Sequence, residues 1–307
     1  MTSTQIGSLN TTQINVLTTT NFGSLTTTQV SGLTAAQLDL LSNAQFATLS
    51  TTQLSTLSTT QVKGLSVTNI AAISTVQLRG VSSTQIGVLN AVQLVSVTTT
   101  NVPELTTTQL SGLTATQITY LSTPQVAALT TSQLSTLSTT QIRAFTSTQF
   151  SAITTTQFTS LTTVQIGGLT TTQVLALTLA QIDAMTTTQL SGLSSTQISV
   201  LTTTQLSALG TINISNLSTT QVAGLSASQV HLLTIAQFGA LTSTQLGTFS
   251  TTQISTISVT DIATLTTTQL SGLNTTQIAA ITAIQIVSLD TTHIVSLTTV
   301  QIGRAHV

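Results

Sequence analysis

The side chains able to do chemistry are few. Asp290 and His293 stand three residues apart, His231 and His306 lie elsewhere, and serines and threonines surround them all. These are the residue types of a hydrolase that activates a hydroxyl through a histidine. Such a site needs one hydroxyl beside a base that a third group orients. In a chain this rich in Ser and Thr, composition alone is no evidence for one. His231 occupies a variable slot of the repeat described below and reads as a surface residue. Asp290 and His293 occupy two slots that read as parts of a helix cap, so a locally adapted cap is the plainer reading. No other pair suits acid–base work. Five acidic residues scattered through the chain cannot build the oxygen cage that Ca²⁺ requires. Gly167–Gly168 is followed by no Lys-Ser of a phosphate loop and reads as the end of a repeat. The sequence offers no catalytic, metal or cofactor-binding residues, and a protein without enzymatic activity or cofactor is expected.

What must be positioned is a repeat. "LTTTQLSG" stands at 105–112 and 265–272, and at 185–192 with Met185 in the first place. Residues 1–304 divide into 38 octads without insertion or deletion. Position 1 is Leu, Ile, Val, Phe or Met, and position 6 is Ile, Leu, Val or Phe. Position 5 is Gln except at Asn21, Asn69, Asn101, Asn213, Asp261 and His293. Position 2 is Thr or Ser, with Asn10, Asn90, Gly210, Asn274 and Asp290 as exceptions.

Thr, Ser, Asn, Asp and Gly are the residues favoured at a helix N-cap. With Gln three places on, they spell a capping box, and apolar positions 1 and 6 supply its hydrophobic staple. Thr106 with Gln109, Thr186 with Gln189 and Thr266 with Gln269 are representative structural caps. Pro124 falls in a first helical turn, where its missing N–H costs nothing. Pro103–Glu104 reads as a local irregularity. Asp261 replaces Gln but can still accept hydrogen bonds near a helix start. Glycines gather at positions 7 and 8, where a short helix must end and the chain must turn. Asp39, Lys63, Arg79, Arg143 and Asp183 all fall on position 7, which reads as facing solvent.

The expected fold is all-α: a solenoid of very short capped helices, one per octad, in a single uninterrupted array over 1–304. A β-solenoid is the alternative, because Thr, Ile and Val favour strands. Against it, positions 1 and 6 have opposite parity and cannot both face inward from one strand. A single continuous helix is excluded, since an eight-residue period would wind the apolar stripe around it. One octad cannot hold itself together, so neighbouring repeats must stack on one another.

Composition narrows the partners. Only 3% of the residues are charged and the net charge is −1, so there is no field to attract nucleic acid. Cysteine is absent. No apolar run is long enough to span a membrane. "MTSTQIGS" is already a repeat, so any export signal is expected to lie outside this chain. Residues 305–307 lie off the repeat. The closing QIGRAHV resembles the translation of a short-read sequencing adapter in one frame, so the chain is suspect from about residue 301. Both ends read as interior to a longer array.

The octad resembles the LTTxQ repeat tracts of large bacterial cell-surface and adhesin-like proteins, over essentially the whole chain. That resemblance implies an extracellular structural or adhesive segment, a stalk or filament. Its partners would be a surface, a polysaccharide or another cell-surface protein. "LSTPQVAAL" (121–129) resembles the opening helix of the DNA-reading repeats of plant-pathogen effectors, without their base-reading loop. That supports a helix start and not DNA binding. The alternative function is an ice- or polysaccharide-binding solenoid using threonine rows at positions 3 and 4. Interruptions at Ala35–Ala36, Leu179–Ala180 and Ile235–Ala236 weaken it.

Overall fold

A computed structural model describes residues 1–303, so the off-repeat tail, with His306, lies outside the described residues. Every octad carries one helical element. Thirty-seven are α-helices of four to six residues, and one, Val102–Glu104, is a 3₁₀ helix. No strand occurs among the described residues. The fold is the all-α solenoid of short capped helices, and the β alternative is set aside.

Each α-helix opens at position 3 because position 2 is extended. Thr106, at φ −70° and ψ 156°, precedes the helix Thr107–Ser111. The other end closes at position 8, where Gly112 is the C-cap of Thr107–Ser111. No described residue, glycine included, has a positive φ. Gly112 remains right-handed at φ −75° and ψ −14°. Leu113 N–H then closes on the Leu110 carbonyl at 3.1 Å, a tight 3₁₀-type bond that ends the helix. The chain turns there without any left-handed residue.

The irregular octad has a local cause. Proline at 103 lacks the N–H that would complete an α-turn to Thr99. Glu104 N–H instead reaches the Asn101 carbonyl at 3.1 Å, and the segment is 3₁₀. Pro124 sits in the first turn of Thr123–Ala127 and disturbs nothing.

The described residues form two compact units, Met1–Ser160 and a second that begins at Leu161. Within each unit a helix packs on the helix three octads further on. Thr107–Ser111, for example, lies between Ser83–Ile86 and Thr131–Thr136. Side-chain bonds between successive turns join residues 25 to 31 apart, so one superhelical turn takes between three and four octads. Positions 1 and 6 line the core along most of the array: Leu110 and Leu113 are buried, as are Phe150 and Phe158, while Met1, Ile286, Ile294 and Ile302 are exposed. Asp39, Lys63, Arg79, Arg143 and Asp183 are exposed, as position 7 predicts.

The glycines serve close approach between turns. A Cβ on Gly7 would lie 2.7 Å from the Gly32 carbonyl oxygen. The equivalent distances are 2.8 Å for Gly87 and Gly112, 2.7 Å for Gly167 and Gly192, and 2.9 Å for Gly247 and Gly272. Successive pairs are 80 residues apart, which is ten octads. A second, longer period therefore runs through these four pairs, although a Cβ on Gly64, Gly80 or Gly224, outside the series, would come as close to a neighbouring turn, at 2.5, 2.4 and 2.6 Å.

Candidate functional site

The group that most octads build is a two-ended clasp at position 5. Its first half is the capping box. Thr106 N–H donates to Gln109 Oε1 at 2.8 Å, and Gln109 N–H donates to Thr106 Oγ1 at 3.1 Å. Thr186 and Gln189 repeat the exchange at 3.2 and 3.1 Å, and Thr266 and Gln269 at 2.8 and 3.1 Å. These bonds satisfy amides that a helix start leaves without partners.

The second half reaches into the preceding turn. Gln109 Nε2 donates to the carbonyls of Leu78 and Val81, at 2.7 and 2.6 Å. Gln189 Nε2 reaches Leu161 at 2.9 Å, and Gln269 reaches Gly239 and Leu241 at 3.1 and 2.7 Å. The acceptors are carbonyls at the end of one short helix and the start of the next segment, groups that lack a full set of helical partners. Gln109 is only 3% exposed, so this amide is a core residue, satisfied at both ends as buried polar groups must be.

The capping half was legible in the S/T-x-x-Q spacing; the cross-turn half was not. Its signal lay in what position 5 omits. A capping box accepts Glu as readily as Gln, yet no octad has Glu there. Gln, Asn and His carry an N–H to donate, and ionised Glu does not.

The exceptions follow this chemistry. His293 imitates glutamine with its two ring nitrogens. Nδ1 lies 3.3 Å from Asp290 N and 2.7 Å from Asp290 Oδ1, while Nε2 meets the Leu265 carbonyl. Hydrogen bonding to the His293 main-chain N–H is the largest influence holding the Asp290 carboxyl below its ordinary pKa. Both ring nitrogens thus have structural partners, and Nε2 meets a main-chain carbonyl rather than a hydroxyl. Asn213 and Asn101 keep the cross-turn bond, to Met185 at 3.0 Å and Ile73 at 2.7 Å. Gly210, without a side chain, caps nothing.

Asn69 and Asp261 are the imperfect ones. Asn69 Nδ2 donates to Leu38 at 3.3 Å, but its Oδ1 is buried without a partner. Asp261 is 2% exposed and accepts from Ser258 Oγ at 2.7 Å. Burial pushes its carboxyl pKa up, against the opposing effects of that bond and of His231. His231 itself is exposed, with Nδ1 2.7 Å from the Thr256 carbonyl.

Among the described residues no cluster of three His, Cys, Asp or Glu could hold a metal ion, and no helix is long and apolar enough to cross a membrane. Voids in the first unit's core measure only about 30 and 20 Å³ and are lined almost wholly by aliphatic side chains.

Fold and clasp together define a helical repeat protein of the solenoid class. Within that class, residues 128–163 match the family model of the ALTTAQ repeat, which is an LTTxQ-type repeat. No match was found among curated proteins.

Proposed function

We propose that the chain is a structural or adhesive repeat segment of a secreted bacterial surface protein, acting as a stalk and not as a catalyst. The observation that carries this reading is the uniformity of the clasp. The buried glutamines, and His293 in the place of one, are engaged in joining one turn to the next. An array so built gains length by adding octads, each stacking on the same contacts.

In-register removal of residues 81–160, one long period, tests the structural role. The shortened chain is expected to fold with unchanged helicity per residue and a smaller radius of gyration in solution scattering. Loss of cooperative folding would count against the stalk. The surface location is supported by the resemblance alone, and antibody labelling of intact source cells tests it.

Binding of ice by threonine rows is served unevenly by the packing, with Thr107 and Thr108 exposed. Thr163, at position 3, is half-buried, and its carbonyl lies against Gly192 of the next turn. The polysaccharide version draws instead on grooves between helices.

A further inference from the structure

We propose that a groove in the first unit, floored by Ala35, Ala36 and Gly64, binds a neutral polysaccharide segment. This deepens the adhesive part of the function proposed above and rests on it.

The groove measures about 830 Å³, within the range of small-ligand sites. Its floor is open because the side chains there are small. Alanines stand at 35 and 36, where most octads have a hydroxyl. A Cβ on Gly64 would lie 2.5 Å from Ala35 Cβ. Val67 and Val92, 41% and 65% exposed, give aliphatic walls. Tyr120, the single tyrosine of the chain, and Lys63, its single lysine, line the same groove, together with Asp39 and Asn90.

The charges narrow the ligand. The ion pairs among the described residues are Arg79–Glu104 and Asp290–His293, so Asp39 and Lys63 neutralise neither each other nor anything else. A polyanion would meet the Asp39 carboxylate and a polycation the Lys63 ammonium. A neutral chain of pyranose rings suits both, since each hydroxyl can donate to the carboxylate or accept from the ammonium. Asn90 uses its Oδ1 to cap a helix and keeps its amide N–H groups for a ligand. Tyr120 offers an aromatic face for the C–H side of a sugar ring and a hydroxyl for its edge.

A second groove shows that the array makes the shape and the substitutions make the site. Residues 192 positions further on line a groove of about 720 Å³ in the second unit. There His231 takes the place of Asp39 and Ser255 that of Lys63, so the carboxylate and the ammonium of the first groove are both missing. It has the shape without the recognition chemistry.

Titration calorimetry of the intact chain with maltopentaose, cellopentaose and the pentamer of N-acetylglucosamine tests the proposal, with an oligogalacturonate as the anionic comparison. At least one neutral sugar is expected to bind saturably and more tightly than the anionic one. Tyr120→Ala should weaken it about tenfold, the scale of a lost stacking contact. Tyr120→Phe, which keeps the ring, should weaken it by no more than about threefold. Asp39→Asn and Lys63→Met should each weaken it while leaving the helical circular dichroism unchanged. The proposal is overturned if no neutral sugar binds, if only the anionic one binds, or if Tyr120→Ala binds like the parent chain. Any of these would leave the stalk reading standing, because chain length under in-register deletion tests that separately.

Discussion

Gln109 donates its side-chain amide to the carbonyl of Leu78 at 2.7 Å, across 31 residues of chain. The same side chain accepts the main-chain N–H of Thr106 through its oxygen. One residue thereby starts its own helix and fastens that helix to the turn before it.

Replacing Gln109 by Glu separates the two duties. The acceptor for Thr106 survives, while both amide donors are lost and a carboxylate faces the Leu78 and Val81 carbonyls. At neutral pH the variant should lose about 3 kcal/mol, the scale of an uncompensated buried charge. Urea denaturation measures this. The deficit should shrink in acid, where a protonated carboxyl regains one donor. An unchanged midpoint at neutral pH would contradict the clasp.

Thr106→Val keeps the shape of the cap residue and removes its oxygen. A loss of about 1 kcal/mol is expected, typical of an N-cap, whereas Thr106→Asn should be close to neutral. Thermal unfolding of the two variants side by side reads the difference. Equal losses would mean that the hydroxyl caps nothing.

Asn69 is one methylene short of the usual residue and leaves Oδ1 orphaned. Asn69→Gln should let the oxygen reach the Ser66 amide and raise stability by about 1 kcal/mol. A higher denaturation midpoint is the expected result. A lower one would mean that the local packing has adapted to the shorter side chain.

Asp261 predicts a pH dependence of known sign. Its register places it at the carbonyls of Val230 and Leu233, to which an ionised carboxylate cannot donate. Burial raises its pKa, so the folded chain holds this proton more tightly than the unfolded chain. Its contribution is therefore full below the ordinary carboxylate pKa and is lost as pH rises through the raised one. Asp290 acts in the opposite sense. Its lowered pKa gives stability above the ordinary carboxylate value that is lost on acidification. Asp261→Asn should abolish only the first dependence and raise the melting temperature at neutral pH. An identical pH profile for variant and parent would refute the assignment.

The helix starts were legible because a cap is a local device: Thr106 and Gln109 are three residues apart, and their types state their roles. The stacking partners were not, because a bond from Gln109 to Leu78 depends on the number of octads per turn, which no single octad encodes. The glycines were legible only in part, for a related reason. Gly32 and Gly112 end their helices, as position 8 implies, but the structure also sets them against neighbouring turns. The 80-residue spacing of the Gly7–Gly32 and Gly87–Gly112 pairs carried that information at a longer period than the octad. Pro124 and the exposed charges at position 7 needed only the local frame and were placed correctly.

Hydrogen exchange of the glutamine side-chain amides tests the two-ended clasp most directly. Gln5 and Gln13 are exposed and serve as internal references. The account predicts that the Nε2 protons of Gln109 and Gln269 exchange far more slowly than those of Gln5 and Gln13. Equal exchange at all four would show that the amides are open to water and that the turns are held together by something else.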